Sequence, residues 1–264
     1  MTMQNLPQPE VISVQDIPAA VYRAGSGLTV LMLHGWGASA ELVWPLASRL
    51  VTCGFAPCVV DFPGFGRTPA PVVPWSVSDY AMWTLDLMNA LALDKVHLFG
   101  HSFGGRIALV LAADHPERFH KVVLANSAGL RPPIPLLVKL RTKLYRSVRH
   151  TLEAVGAQAL AQDLRSRYNA RFGSPDYNAA TGVMRETFIR VVSEDLRHYA
   201  ARVQRPTLLF WGDQDTDTPL WMGQMLEKLI PDAALIVHQG AGHYSYLDRL
   251  SETAHIIAHF LLNP

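Results

Sequence analysis

Short apolar runs, most of them closing on glycine, alternate with helix-patterned stretches along most of this chain. "LTVLMLHG" (Leu28–Gly35), "APCVVDFPGFG", "KVHLFG", "KVVLANS", "PTLLFWG" and "ALIVHQG" stay apolar through their centres instead of alternating with polar residues. A strand is apolar on both faces only where both faces are covered, and intervening helices supply that cover. The intervening stretches have the required spacing. Tyr80, Trp83, Leu87 and Leu91 fall on one helical face, with Ser76 or Ser78 as N-cap. "FGGRIALVLAADHP" reads as a helix stopped at Pro116, and in "ELVWPLASRLV" Pro45 places the start of the helix proper nearby. "LWMGQMLEKLI" and "SETAHIIAHFLL" are the last two helical patterns. The expected fold class is α/β, a mainly parallel twisted sheet with helices on both faces.

The rhythm breaks once. From Leu130 to about Val203 the pattern is helical and rich in arginine, with no strand-like run. The expected organisation is a core made of 1–129 and 204–264, interrupted by a helical insertion over 130–203. With 264 residues, of which 49% are hydrophobic and 17% charged, the chain can build a sizeable core. A formal net charge of +1 gives no overall attraction to nucleic acid or membrane. There is no phosphate-binding GxxxxGK[ST] loop and no zinc-ligand spacing of cysteine or histidine, so no metal site is expected. Cys53 and Cys58 fit a reducing compartment, as small apolar residues in preference to a local disulfide. The first sixteen residues show no signal-peptide pattern, and no apolar run approaches the roughly 18 residues of a membrane span. A cytoplasmic location follows as the expectation.

The densest chemical signal is "LFGHSFGGRIAL", where Gly100, Gly104 and Gly105 surround Ser102. Glycines inside elements weaken them and need a reason. GxSxG alone is a common string. Here it lies between a strand-like run and a helix-like run, the context in which a nucleophilic serine sits on a sharp turn at the carboxyl end of a strand. A hydroxyl needs a base, and the base needs an orienting acid. His243 in "GAGHYSYLD" stands between the last strand and the last helix. Asp213, Asp215 and Asp217 in "FWGDQDTDTP" follow the preceding strand and compete for the acid.

The motifs "HGWG", "DFPGFG", "GHSFGG", "WGDQD" and "GAGH" together resemble the α/β-hydrolase superfamily over nearly the whole chain. In that family the acid usually stands three residues after the glycine that ends its strand, which carries over to Asp215. The resemblance implies an oxyanion hole made by the amide of Phe103, at a helix N-terminus, and by that of Trp36 in the loop after "VLMLHG". His34 is expected to organise that loop and to belong to the substrate pocket. His101 fills the variable place in the elbow. His97, His115, His120, His238, His255 and His259 fall on strands or helix ends with no third ligand for a metal.

Residues 130–203 lie where this superfamily inserts its lid. "PLLVKLRTKLYRSVRH" puts Leu136, Leu140, Leu144 and Val148 on one stripe, with Lys139, Arg141, Lys143, Arg146 and Arg149 elsewhere. The expectation is a cap helix with its apolar side on the pocket or core and its arginines solvated; attraction to anionic lipid or to an acidic substrate is the alternative. "GVMRETFIRVVSEDL" places Met184, Phe188, Val191 and Val192 near one face, so that Met184 and Phe188 would shape an apolar pocket. Pro132, Pro133 and Pro135 read as a stiff connector.

The resemblance implies a cofactor-free serine hydrolase that cleaves small-molecule carboxylic esters of small or medium acyl chain. Carbon–carbon bond hydrolases of the meta-cleavage type share the triad. They commonly carry asparagine before the serine and a glycine-proline oxyanion loop, where this chain has His101 and "HGWG". A cofactor-free haloperoxidase or perhydrolase shares all the motifs. Dehalogenases and epoxide hydrolases use aspartate at the elbow, which Ser102 replaces. A small-molecule receptor on the same fold is the non-enzyme reading.

Overall fold

The computed structural model describes residues 6–132, 135–172 and 174–263. Pro133, one of the three connector prolines, lies outside them. In chain order the strands and helices are β1 (Glu10–Val14), β2 (Ile17–Arg23), β3 (Thr29–Leu33), α1 (Ala40–Thr52), β4 (Ala56–Val60), α2 (Val77–Ala90), β5 (Val96–His101), α3 (Phe103–Asp114) and β6 (Phe119–Ala125). Then follow α4 (Leu136–Ala154), α5 (Gln158–Phe172), α6 (Pro175–Ala179), α7 (Gly182–Ser193) and α8 (Arg197–Ala200). The chain closes with β7 (Thr207–Gly212), α9 (Leu220–Leu229), β8 (Ala233–His238), α10 (Ser245–Asp248) and α11 (Leu250–Leu262).

The strands form one sheet in the order β1-β2-β4-β3-β5-β6-β7-β8. From β4 to β8 every pairing is parallel, as the continuous apolar runs require. β1 and β2 are an antiparallel hairpin on the β4 edge, and the sequence reading placed no element there. Gln15 and Asp16 turn it with φ of 49° and 62°, the left-handed pair of a tight hairpin turn. Successive side chains serve opposite faces. Leu31, Leu33, Leu98 and Leu124 enter the layer with α2, α3 and α9, whereas Val30, Met32, Phe99 and Val123 enter the layer with α1 and α11.

Local chemistry explains the helix boundaries. Ser76 is the N-cap of α2: its hydroxyl accepts from the Asp79 amide while the Asp79 carboxylate accepts from the Ser76 amide. α1 begins at Ala40, five residues before Pro45, so the proline lies inside the helix. Asp61 accounts for the earlier start. Its Oδ1 accepts the Ala40 amide at 2.7 Å, satisfying a donor at the helix N-terminus. Cys53 and Cys58 are both free thiols, and Cys58 is buried.

The chain runs from β3 outward to β4 and then returns to place β5 on the other side of β3. This reversal opens a crevice at the carboxyl ends of β3 and β5. Two glycines let α3 start there. A methyl group on Gly104 would come 2.3 Å from the Leu33 carbonyl oxygen, and one on Gly100 would come 2.7 Å from that of Gly104.

Helices α4 to α8 all fall between β6 and β7, with no strand among the described residues of that segment. Its two ends meet: the Leu196 amide donates to the Gly129 carbonyl at 2.8 Å. α7 is tied to the sheet layer. Thr187 Oγ1 accepts the Trp75 amide at 3.1 Å, and Arg190 donates to the Pro74 carbonyl at 2.8 Å. Val191 of α7 is buried as expected, but Val192 is exposed and off the packing face. α4 departs furthest from expectation. No residue of it is buried, and its leucine stripe faces away from pocket and core alike.

His97 of β5 is buried, and neither ring nitrogen has a hydrogen-bond partner among the described residues. Burial, then the nearby His120, depresses its pKa to about 4. The unfolded chain therefore binds a proton below pH ~6.5 that the folded chain refuses until about 4, and stability falls with pH across that window. His97→Phe should remove this loss and gain about 2 kcal/mol over the wild type at pH ~5, read by urea unfolding. Gly104→Ala should lose about 1–3 kcal/mol in the same measurement, because α3 has to move off β3.

Candidate active site

Ser102 stands between β5 and α3 with φ of 51° and ψ of −109°, left-handed backbone that a non-glycine residue occupies only under constraint. The surroundings supply the constraint. Its amide donates to the Ala125 carbonyl at 3.2 Å, and its carbonyl accepts from the amides of Gly105, Arg106 and Ala128 at 3.0, 3.3 and 3.0 Å. His101 and Phe103 on either side are buried, whereas Ser102 is half-buried.

His243 lies in the loop after β8, and its Nδ1 is 2.9 Å from Asp215 Oδ2. Of the three competing aspartates, Asp215 is the one that the histidine meets. Asp213 accepts the Gly240 amide at 2.7 Å instead, and Asp217 donates its own amide to Asp215 Oδ1 at 2.8 Å. Asp215 is buried with five donors around it. Oδ1 accepts the amides of Asp217 and Thr218; Oδ2 takes Asn126 Nδ2 at 2.6 Å, Thr218 Oγ1 at 2.7 Å and His243. Burial alone would raise its pKa, but the hydrogen bonds from His243 and Thr218 outweigh that and hold it at about 2. A carboxylate only accepts, so the proton of this pair sits on His243 Nδ1 and leaves Nε2 as the basic atom.

Sequence reasoning missed Asn126, Thr218 and Ser245. Asn126 follows β6 with φ of 46°, and its Oδ1 accepts from Ser245 Oγ at 2.6 Å. The one available signal was that asparagine tolerates left-handed backbone. Because Ser102 bonds to Ala125 and Asn126 bonds to Asp215, the end of β6 links the Ser102 turn to the Asp215 carboxylate. His101 makes a second link: its Nε2 donates to the His243 carbonyl at 3.0 Å. Burial, then His243, depresses the His101 pKa to about 3, which keeps the ring neutral.

The loop after β3 carries Trp36. Its ring meets Phe65, Phe103 and Phe188 edge-on, with centroids 4.8, 5.3 and 5.1 Å away. Phe103 opens α3, so its amide has no acceptor within the helix. His34 is fully buried, with Nδ1 donating to the Gly35 carbonyl at 2.7 Å and Nε2 accepting the Phe62 amide at 3.1 Å. Both ring nitrogens are used, so His34 has none to offer a ligand. Phe188 covers Trp36, and Met184 lies against Gly64 so closely that a methyl there would come 2.4 Å from its Sδ. Asp61 of "DFPGFG" also accepts from Tyr22 Oη and the Arg67 amide, tying the hairpin and the loop after β4 to α1.

Asp215, Asp217 and His243 place three ligand-type atoms within 4.8 Å of one another. Both Asp215 oxygens already accept at least two hydrogen bonds each, which leaves a poor donor set for a cation. No helix among the described residues is long and apolar enough to cross a membrane.

Residues 29–250 match the profile of the alpha/beta hydrolase fold family. A 2-hydroxy-6-oxo-6-phenylhexa-2,4-dienoate hydrolase of Burkholderia cepacia is 30% identical over 258 residues, covering 91% of this chain and 90% of that one. A pimeloyl-[acyl-carrier protein] methyl ester esterase of Aeromonas hydrophila is 26% identical, covering 92% of this chain and 98% of its own. Among solved structures, an esterase from Exiguobacterium antarcticum superposes with a TM-score of 0.75 at 23% identity, covering 97% of this chain and all of that one. With its mostly parallel eight-stranded sheet and a profile match across most of its length, the chain belongs to the alpha/beta hydrolase fold family.

Proposed function

We propose that this protein is a serine hydrolase cleaving carboxylic esters of small or medium acyl chain through an acyl-enzyme. The observation that carries the reading is the His243–Asp215 pair, in which a buried carboxylate fixes the tautomer and leaves Nε2 basic at the end of the sheet that bears Ser102. Ser102 Oγ attacks the ester carbonyl, and its proton passes to His243 Nε2. The amides of Phe103 and Trp36 hold the oxyanion. His243 protonates the departing alcohol and then takes a proton from the water that releases the acid. Asp215 keeps the imidazole oriented and stabilises its charged form. The segment 130–203 is a cap on a core made of 1–129 and 204–264, and Met184, Phe188 and Trp36 form an apolar wall for the acyl group. The similarity to the methyl ester esterase supports this substrate class.

The 30% identity to the dienoate hydrolase favours carbon–carbon bond hydrolysis as the second reading. A length series of p-nitrophenyl esters run beside 2-hydroxy-6-oxo-6-phenylhexa-2,4-dienoate separates the two: the ester reading expects the larger kcat/KM on an ester. Strong thermal stabilisation by these compounds without turnover would instead mark a receptor. Ser102→Ala should lower ester turnover on the order of 10^4–10^6-fold with an unchanged melting curve, and wild-type turnover by that variant defeats the assignment. Asp215→Asn should lower kcat on the order of 10^4-fold. Its acid unfolding should change as well. The depressed Asp215 pKa stabilises the wild type above pH ~4 and is lost as pH falls toward about 2, so the asparagine variant should be flatter there.

A further inference from the structure

α4 is a nineteen-residue helix with two unlike faces. One face belongs to α5. Thr142 Oγ1 lies 3.2 Å from Tyr168 Oη, Tyr145 stacks on Tyr168 at 3.9 Å, and Arg141 sits over the Phe172 ring at 3.7 Å. Val138, Thr142, Tyr145 and Arg149 form the half-buried row on that side. The other face carries Leu136, Leu137, Leu140, Leu144 and Val148, which are between 43% and 80% exposed. Solitary exposed leucines are ordinary, but five large apolar side chains along four turns of one helix are not. Lys139, Lys143 and Arg146 run beside this stripe, where their long stems extend its apolar edge and their charges border it.

The charge is concentrated here. Residues 136–172 contain eight Lys and Arg against two Asp and Glu, a net +6. The whole chain is +1, so the remainder carries −5. A second copy of the chain docking face to face would bring +6 against +6. An anionic surface with an apolar interior satisfies both the cations and the leucines.

We propose that α4 docks on an anionic lipid bilayer, lying in the plane of the interface. Leu136, Leu140, Leu144 and Val148 enter the acyl boundary, and Lys139, Lys143 and Arg146 meet headgroup phosphates. The proposal is independent of the reaction at Ser102, and its test reads binding alone.

The full chain is sedimented with vesicles of phosphatidylcholine alone and of phosphatidylcholine mixed with phosphatidylglycerol. It should partition onto the mixed vesicles, more weakly as salt is raised. Lys139→Gln/Lys143→Gln/Arg146→Gln should weaken partitioning on the order of a hundredfold. Leu140→Glu/Leu144→Glu should abolish it at an unchanged melting temperature, since both side chains are solvated in the free protein. In a Leu140→Trp variant, the emission difference spectrum against the wild type should shift to the blue on mixed vesicles only, a check that does not depend on the charged variants folding. The proposal is overturned if the wild type stays in solution with both vesicle types, as a surface for an acidic protein would. It is also overturned if the chain binds both types equally, or if sedimentation velocity shows that Leu140→Glu/Leu144→Glu converts a dimer to monomer, which would make a second copy the occupant.

Discussion

The left-handed backbone at Ser102 is the constraint around which this fold is arranged. Such a conformation costs about 1–3 kcal/mol and persists only when the surroundings over-determine it. Here they do so from three directions. β6 accepts the Ser102 amide, the first turn of α3 and Ala128 together donate to its carbonyl, and Gly100 and Gly104 let helix and strand approach within backbone contact. Larger residues at those glycines would separate α3 from β3 and β5 and remove the reason for the turn. The reversal of strand order between β3 and β5 then places this turn beside the loop that carries Trp36. Sheet topology and backbone strain thus select one location.

The second organising element is electrostatic. A buried carboxylate is costly unless its lone pairs are used, and five donors use those of Asp215. This arrangement fixes the tautomer of His243. The surrounding histidines are engaged differently. His34 spends both nitrogens on backbone groups, and burial holds His101 neutral.

Much of this was legible in the sequence because it depends on local pattern. The continuous apolar runs gave β3 to β8, and their spacing with helices gave the parallel order. Ser102 and His243 were legible because their loops are short and rich in glycine. Which aspartate meets His243 was not a matter of spacing alone: Asp213 and Asp217 are two residues away on either side, and only the turn after β7 decides. The β1–β2 hairpin escaped because β1 is mostly exposed and β2, "IPAAVYR", carries Pro18 and two alanines, which are weak strand signals. Asn126 and Thr218 escaped because each acts through a partner roughly ninety residues distant in the chain or through a single hydroxyl. The orientation of α4 escaped for a different reason. Periodicity shows that a helix has an apolar face, but not what that face meets.

The order of the strands along the chain also governs when the site comes into being. Ser102 and Trp36 belong to the first half, whereas Asp215 and His243 are carried by the last two strands, which add to the far edge of the sheet after five helices have intervened. A chain emerging from the ribosome can pack β3 to β6 and set the strained turn while neither Asp215 nor His243 has yet been synthesised. The histidine–carboxylate pair forms only when β7 and β8 dock. Until β7 and β8 have been made, the nascent chain therefore holds the Ser102 turn without the His243–Asp215 pair.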